Sequence, residues 1–153
     1  MKKILLFFIL FLTTICVSAC NIPNENTVQT DTIKTMKLKI TAGDKILTAT
    51  MIDNVTTRAF MKMLPLILKM TELHNNEKYC NLPEQLPGKA VKPGTIHAGD
   101  LMLWDANYKC LVLFYKTFKS PYSYVKLGTI DNLDELEATL GSGDIELRFE
   151  KMD

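Results

Sequence analysis

The chain has 153 residues, 47% hydrophobic and 23% charged, with a formal charge of +1 and only seven glycines. That excludes collagen-like, low-complexity and highly charged disordered polymers, and the length suits one compact domain. The apolar excess is concentrated in the first twenty residues, so the rest of the chain is more polar than its average.

Met1-Lys2-Lys3 leads into an unbroken apolar run, Ile4 to Leu12, and then into the small-residue stretch Val17-Ser18-Ala19-Cys20. A basic end, an apolar segment and a small-residue cleavage region make a secretory signal peptide, expected over residues 1–19. The run is too short for a membrane-spanning helix, which needs about 20 apolar residues. Val17 to Cys20 resembles the bacterial lipobox, in which the cysteine is acylated and becomes the first mature residue. Cys20 is therefore the expected lipid anchor, holding the protein to a membrane by buried acyl methylenes at about 0.8 kcal/mol each. Asn21, not Asp, follows it, which by the same resemblance points to the outer membrane in a host with two.

Removal of residues 1–19, which carry Lys2 and Lys3 and no acidic residue, leaves 134 residues with 16 basic against 17 acidic. Nucleic acid is not an expected partner, because its binders carry a basic stripe and a strongly positive balance; here Arg58 and Arg148 are the only arginines. Cys80 and Cys110 are the thiols left in an exported, oxidising setting, where they can pair or Cys110 can serve as a small buried hydrophobe. Two cysteines thirty residues apart, with only His74 and His97 to help, do not form the ligand spacing of a zinc site. No metal or cofactor is expected.

Asn21 to Thr35, rich in Asn and Thr and without periodicity, suits a flexible tether, so residues 20–35 join the lipid to a domain over 36–153. Met36, Leu38 and Ile40 alternate with polar residues in a half-buried strand. Gly43-Asp44 then turns the chain into a hairpin partner from Lys45 to Met51. Asn54 caps a helix from Val55 to Leu64, ended by Pro65, and Leu66 to Met70 returns to strand. Asn75-Asn76 and the Pro and Gly residues between Leu82 and Gly94 mark a long irregular stretch, which in a compact domain is functional or packed as an Ω-type loop more often than idle. Leu101 to Trp104 and Cys110 to Tyr115 are strands around a turn near Ala106-Asn107, the second apolar on both faces and so central. Val125 to Ile130 adds a strand, and Asp131 caps a helix carrying Leu133, Leu136 and Leu140. After Gly141 to Gly143, Ile145, Leu147 and Phe149 alternate in a last strand. About seven short strands and two short helices predict a mainly β fold, a closed or nearly closed barrel with helices over its ends; a sandwich is the alternative.

Five ordered blocks then carry a resemblance over Met36 to Glu150. They are Thr57-Arg58-Ala59-Phe60 with Leu64-Pro65-Leu66; Asn76-Glu77-Lys78-Tyr79 with Leu82-Pro83; Gly94 to Leu101; Leu113-Phe114-Tyr115-Lys116; and Ser123-Tyr124 with Leu127-Gly128-Thr129-Ile130. In these blocks the chain resembles the small bacterial cyclophilin-like-fold proteins, a group distinct from the eukaryotic-type prolyl isomerases. The resemblance implies a cyclophilin-like closed β-barrel with two short capping helices. True cyclophilins carry a Phe, His and Arg cluster on one strand, and no such cluster exists here. An isomerase also needs a cation over the twisted amide and an apolar slot for the proline ring. Trp104, Phe114 and Tyr124 can build the slot.

No nucleophile elbow, phosphate loop or dinucleotide fingerprint occurs, since Gly141-Ser142-Gly143 is a helix-to-strand turn. The expected function is therefore binding of a small molecule or peptide in a barrel-side cleft, with a prolyl isomerase-like enzyme as the alternative. A protein presenting a bare strand edge is a third class. The expected cleft is bounded by Arg58, Tyr79, Phe114, Tyr115 and Tyr124, the arginine supplying the charged contact and the rings the apolar walls; Tyr122 is a further candidate for its lining. His97 and Asp100 are expected to fix a turn, with no part in catalysis.

Overall fold

The computed structural model describes residues 35–152. The expected signal peptide, Cys20 and all but the end of the tether lie outside the described residues.

The domain opens with the predicted hairpin, β1 (Lys37–Ala42) and β2 (Lys45–Met51), followed by α1 (Val55–Lys62). Asn54 caps this helix as expected, its side-chain oxygen accepting from the Thr57 N–H at 2.8 Å, and the helix stops at Met63, just before Pro65. Next come β3 (Leu66–Leu73), β4 (Glu77–Asn81), β5 (Gly94–Ile96), β6 (Asp100–Trp104), β7 (Cys110–Phe114), β8 (Phe118–Ser120) and β9 (Tyr124–Ile130), then α2 (Leu133–Leu140) and β10 (Ile145–Met152). Eight strands close an antiparallel barrel in the order β1-β10-β3-β4-β7-β6-β9-β2, and β5 with β8 forms a separate two-stranded ribbon. The fold is thus the mainly β closed barrel with two helices that the pattern of short strands predicts, and the sandwich is set aside.

The alternation fills the closed barrel. Leu38, Ile40, Leu47, Ala49, Leu101, Leu103, Leu111, Leu113, Leu147 and Phe149 point inward and share one core with Phe60 of α1 and with Leu136 and Leu140 of α2. A barrel's interior can be reached only through its openings, so helices that enter that core stand over them. Phe60 meets Phe149 edge to face at 6.2 Å between ring centroids. Gly128 allows β9 to approach β2, because a Cβ there would lie 2.6 Å from the Thr50 carbonyl oxygen, closer than packed atoms tolerate.

Three strands were not foreseen. β4 hides because Lys78 points into the barrel, where Leu or Val would be expected, so Glu77-Lys78-Tyr79-Cys80-Asn81 shows no apolar alternation. Inside, Lys78 is wholly buried and its ammonium donates to Glu72 Oε2 at 2.5 Å and to the carbonyls of Gly141 at 3.0 Å and Gly143 at 2.5 Å. Those three acceptors use its three N–H donors. The ribbon strands β5 and β8 have three residues each, below the length at which periodicity is visible. At the second helix, Asp131 does not cap; its carboxylate accepts from Thr50 Oγ1 and Lys37 Nζ, and the preceding position to the helix is Asn132, whose side chain makes no cap bond.

Candidate functional site

β7 is buried along its whole length, as its apolar run predicts, but its two faces are buried by different partners. Leu111 and Leu113 belong to the barrel interior. Cys110, Val112 and Phe114 point outward and join Ile96, Met102 and Tyr124 in a second apolar cluster, with Tyr79, Trp104 and Phe118 packed against it. Phe114 anchors this outer layer through edge-to-face contacts with Tyr124 at 5.5 Å and Phe118 at 5.7 Å. The β5–β8 ribbon covers part of the layer and leaves a cleft beside it.

That cleft has a volume of about 580 Å³, within the usual range for a small-molecule site. Tyr79, Val112, Trp104 and Tyr124 form its barrel wall, and Phe118 and Tyr122 its ribbon side. The register explains the wall: Tyr79 lies opposite Val112, and Trp104 opposite Tyr124, so outward residues of β4, β7, β6 and β9 stand side by side. Trp104 and Tyr122 meet edge to face at 6.2 Å. His74, Asn76 and Glu77 line one part of the cleft. They come from the β3–β4 turn, where His74 and Asn75 adopt positive φ and the Asn76 N–H closes on the Leu73 carbonyl at 3.2 Å, the geometry of a tight hairpin turn.

Two polar groups here lack partners. Asn76 Oδ1 is buried and accepts no hydrogen bond. Glu77 makes no side-chain hydrogen bond or ion pair with any described residue, and it sits across the ladder from the fully buried Phe114. Burial, and secondarily the charge of Glu72, pushes its carboxyl up to about 7. A carboxyl so displaced in a cleft is a recognised sign of a functional site. Cys110 also lines the cleft, but burial lifts its thiol to about 11, so at neutral pH it is no nucleophile.

The five expected cleft residues are divided by the fold. Tyr79 and Tyr124 line the cleft; Phe114 lies behind it, fully buried against two lining rings. Tyr115 follows Phe114 directly and so faces the other way, with its ring in the interior core and its hydroxyl donating to Glu72 Oε1 at 2.7 Å. Arg58 does not line the cleft; its exposed guanidinium pairs with Asp53 five residues earlier. Trp104, expected as part of a proline slot, and Tyr122, the further candidate, line the cleft as well, and His74, Asn76 and Glu77 line it without having been expected. Reading β4 as a strand would have placed Glu77 beside Tyr79 on one face.

Cys80 and Cys110 are both free. Although β4 and β7 are neighbours, Cys80 faces the interior cluster and Cys110 the outer one, so the sheet lies between the thiols. His97 and Asp100 act at the main chain: Asp100 Oδ2 accepts from the His97 N–H at 3.0 Å, and its other oxygen pairs with Lys126 at 2.6 Å. The turn role expected of Asp100 is therefore visible, while the His97 side chain stays exposed.

Eight-stranded antiparallel closure with two helices makes this a mainly β closed barrel. A model of the cyclophilin-like family matches residues 40–150, and the chain belongs to that family. No curated protein matches it. Among solved structures it is similar to a hypothetical protein from Archaeoglobus fulgidus, known from a solution structure, with 16% identity and a TM-score of 0.49 over 77% of this chain and 95% of that one.

Proposed function

We propose that this chain is a bacterial lipoprotein whose barrel binds a small molecule or a peptide in its outer-face cleft. In this reading residues 1–19 are removed, Cys20 is acylated, and residues 20–35 tether the domain to a membrane of the cell envelope, the outer one where there are two. The bilayer, through the acyl chains, and the cleft's occupant are its partners, and no cofactor is involved. The observation that carries the binding role is the cleft itself: a concave, ring-walled space with a few converging polar groups is the usual form of a ligand site. An isomerase would need in addition a cation over the amide nitrogen. Arg58 lies outside the cleft, and Lys119 at its exposed side is the lining residue of positive charge, so non-catalytic binding is preferred.

Two experiments test this. Isotope-labelled full chain is titrated with a phenylalanyl-proline peptide, and amide resonances of Tyr79, Val112, Tyr122 and Tyr124 should shift together. Exchange between cis and trans peptide faster than the uncatalysed rate would replace the binding role with the enzymatic one, and silence of these amides toward this peptide and toward small aromatic probes would remove it. For the anchor, metabolic labelling with a fatty acid should mark the wild type and leave Cys20→Ser unlabelled; equal labelling would refute acylation at Cys20.

A further inference from the structure

We propose that the cleft recognises a protonated amine carried on an apolar body, with the ammonium seated at Glu77 and Asn76 and the body laid against Tyr79, Trp104, Tyr122 and Tyr124. The proposal rests on the binding role above and names the chemistry of the occupant.

The argument starts from what the cleft is short of. Glu77 and Asn76 are adjacent in sequence, both line the cleft, and between them they offer a carboxylate and a buried amide oxygen for which the described residues supply no donor. A buried acceptor without a donor, as Asn76 Oδ1 is, costs free energy, and the half-buried Glu77 carboxylate beside it has no counter-charge among the described residues, so an occupant that brings charged N–H groups serves both. A hydrocarbon or an ether would leave Asn76 Oδ1 without a donor and Glu77 without a counter-charge. An anion would meet the Glu77 carboxylate and bring no donor. An ammonium supplies donors and the opposite charge together.

The rest of the cleft points the same way. Four of its lining rings are Tyr or Trp, whose negative π-faces attract cations, Trp most strongly. Tyr122 is 57% exposed at the rim, and Tyr124 is 6% exposed at the floor, so the rings extend from the mouth inward and can follow an apolar stem. The competing cation, Lys119, is exposed and, among the described residues, makes no ion pair with Glu77; its neighbour across the ribbon is Thr95. Burial of Glu77, with its carboxyl raised, marks a site where charge is poorly compensated until a cation arrives.

Trp104 is the one tryptophan of the chain, and it lines the cleft, so its emission reports occupancy directly. Full chain at about pH 8 is titrated with 2-phenylethylammonium, with neutral 2-phenylethanol and with anionic 3-phenylpropionate. The ammonium should change Trp104 emission saturably, the alcohol should bind at least about tenfold more weakly, and the propionate should not saturate. Glu77→Gln should weaken the ammonium about tenfold and leave the alcohol unchanged. Tyr122→Leu, at the exposed rim where folding is not at stake, should weaken the ammonium more than the alcohol. A lysine-containing peptide and its acetyl-lysine counterpart extend the test to an amine on a chain: preference for the free lysine assigns a peptide occupant, and binding of the small amine alone assigns a small one. If the alcohol or the propionate binds as well as the ammonium, or if Glu77→Gln keeps full ammonium affinity, the amine assignment is overturned while the binding cleft stands. If none of the three probes and neither peptide alters Trp104 emission, the amine assignment fails, and the binding role fails with it when the proline peptide is also silent.

Discussion

Lys78→Met exchanges the buried ammonium for an apolar side chain of similar length, and the surroundings allow the loss to be estimated. Lys78 is fully enclosed and donates to Glu72 and to the carbonyls of Gly141 and Gly143, while its ammonium also lies 5.6 Å from the centre of the Tyr115 ring. The methionine recovers the packing but strands two carbonyls and one carboxylate. Breaking a buried ion pair from one side costs about 3–5 kcal/mol. Glu72 keeps the Tyr115 hydroxyl at 2.7 Å and retains 16% side-chain exposure, which places the expected loss at the lower end, about 3 kcal/mol. For a domain of this size that lowers Tm by roughly 10 °C. Thermal unfolding followed by circular dichroism measures it. Adding Glu72→Gln should return part of the loss, because the stranded charge is gone, so the two effects should not add. The pH dependence carries the same signature. Burial pushes the Glu72 carboxyl up, but hydrogen bonds from Lys78 and Tyr115 outweigh it and leave the group below its ordinary 4.5. Its contribution is therefore full above pH 4.5 and lost as pH falls through the lower folded value, and Lys78→Met should flatten that acid limb. A Tm equal to or above that of the wild type would refute the view that this cluster holds the barrel end together.

Glu77 has the opposite sign. Below its ordinary value of 4.5 both states hold the proton; between there and about 7 the unfolded chain ionises while the folded one does not, so stability falls as pH rises across that window. The whole displacement corresponds to ~3 kcal/mol at 1.36 kcal/mol per pH unit, and solvent at the cleft mouth reduces this to about 1–2 kcal/mol. Glu77→Gln should abolish the slope in denaturant midpoints measured from pH 5 to 8; an unchanged slope would clear Glu77 of responsibility. Leu113→Ala, at a position with no exposure on the central strand, should cost about 2–5 kcal/mol through lost transfer energy and a cavity, and an unaltered midpoint would mean that β7 is not the core strand.

The sequence by itself determined a mainly β fold of short strands around a shared interior, because leucines at every second position need one; a barrel and a sandwich both supply it, and the ring of strand pairings decided for the barrel. It also placed β7 at the centre, since the run Cys110 to Tyr115 is apolar on both faces. It could not place the cleft. Which side of the barrel carries a second layer depends on β5 and β8, two three-residue strands that acquire strand character only by pairing with each other. The neighbours Phe114 and Tyr115 are alike as rings, and only the register of β7 sends one to the outer layer and the other to the Glu72 and Lys78 cluster. Arg58 stood out by its rarity, yet a helix over the barrel opening carries it away from the rings, and Asp53 satisfies it locally. Glu77, the carboxyl that the tertiary structure singles out, carries no sequence signal because its strand has a lysine pointing inward. That lysine is tolerable only where Glu72 and two glycine carbonyls, distant along the chain, converge on it, and such convergence is decided by the closed fold and by no local pattern of residues.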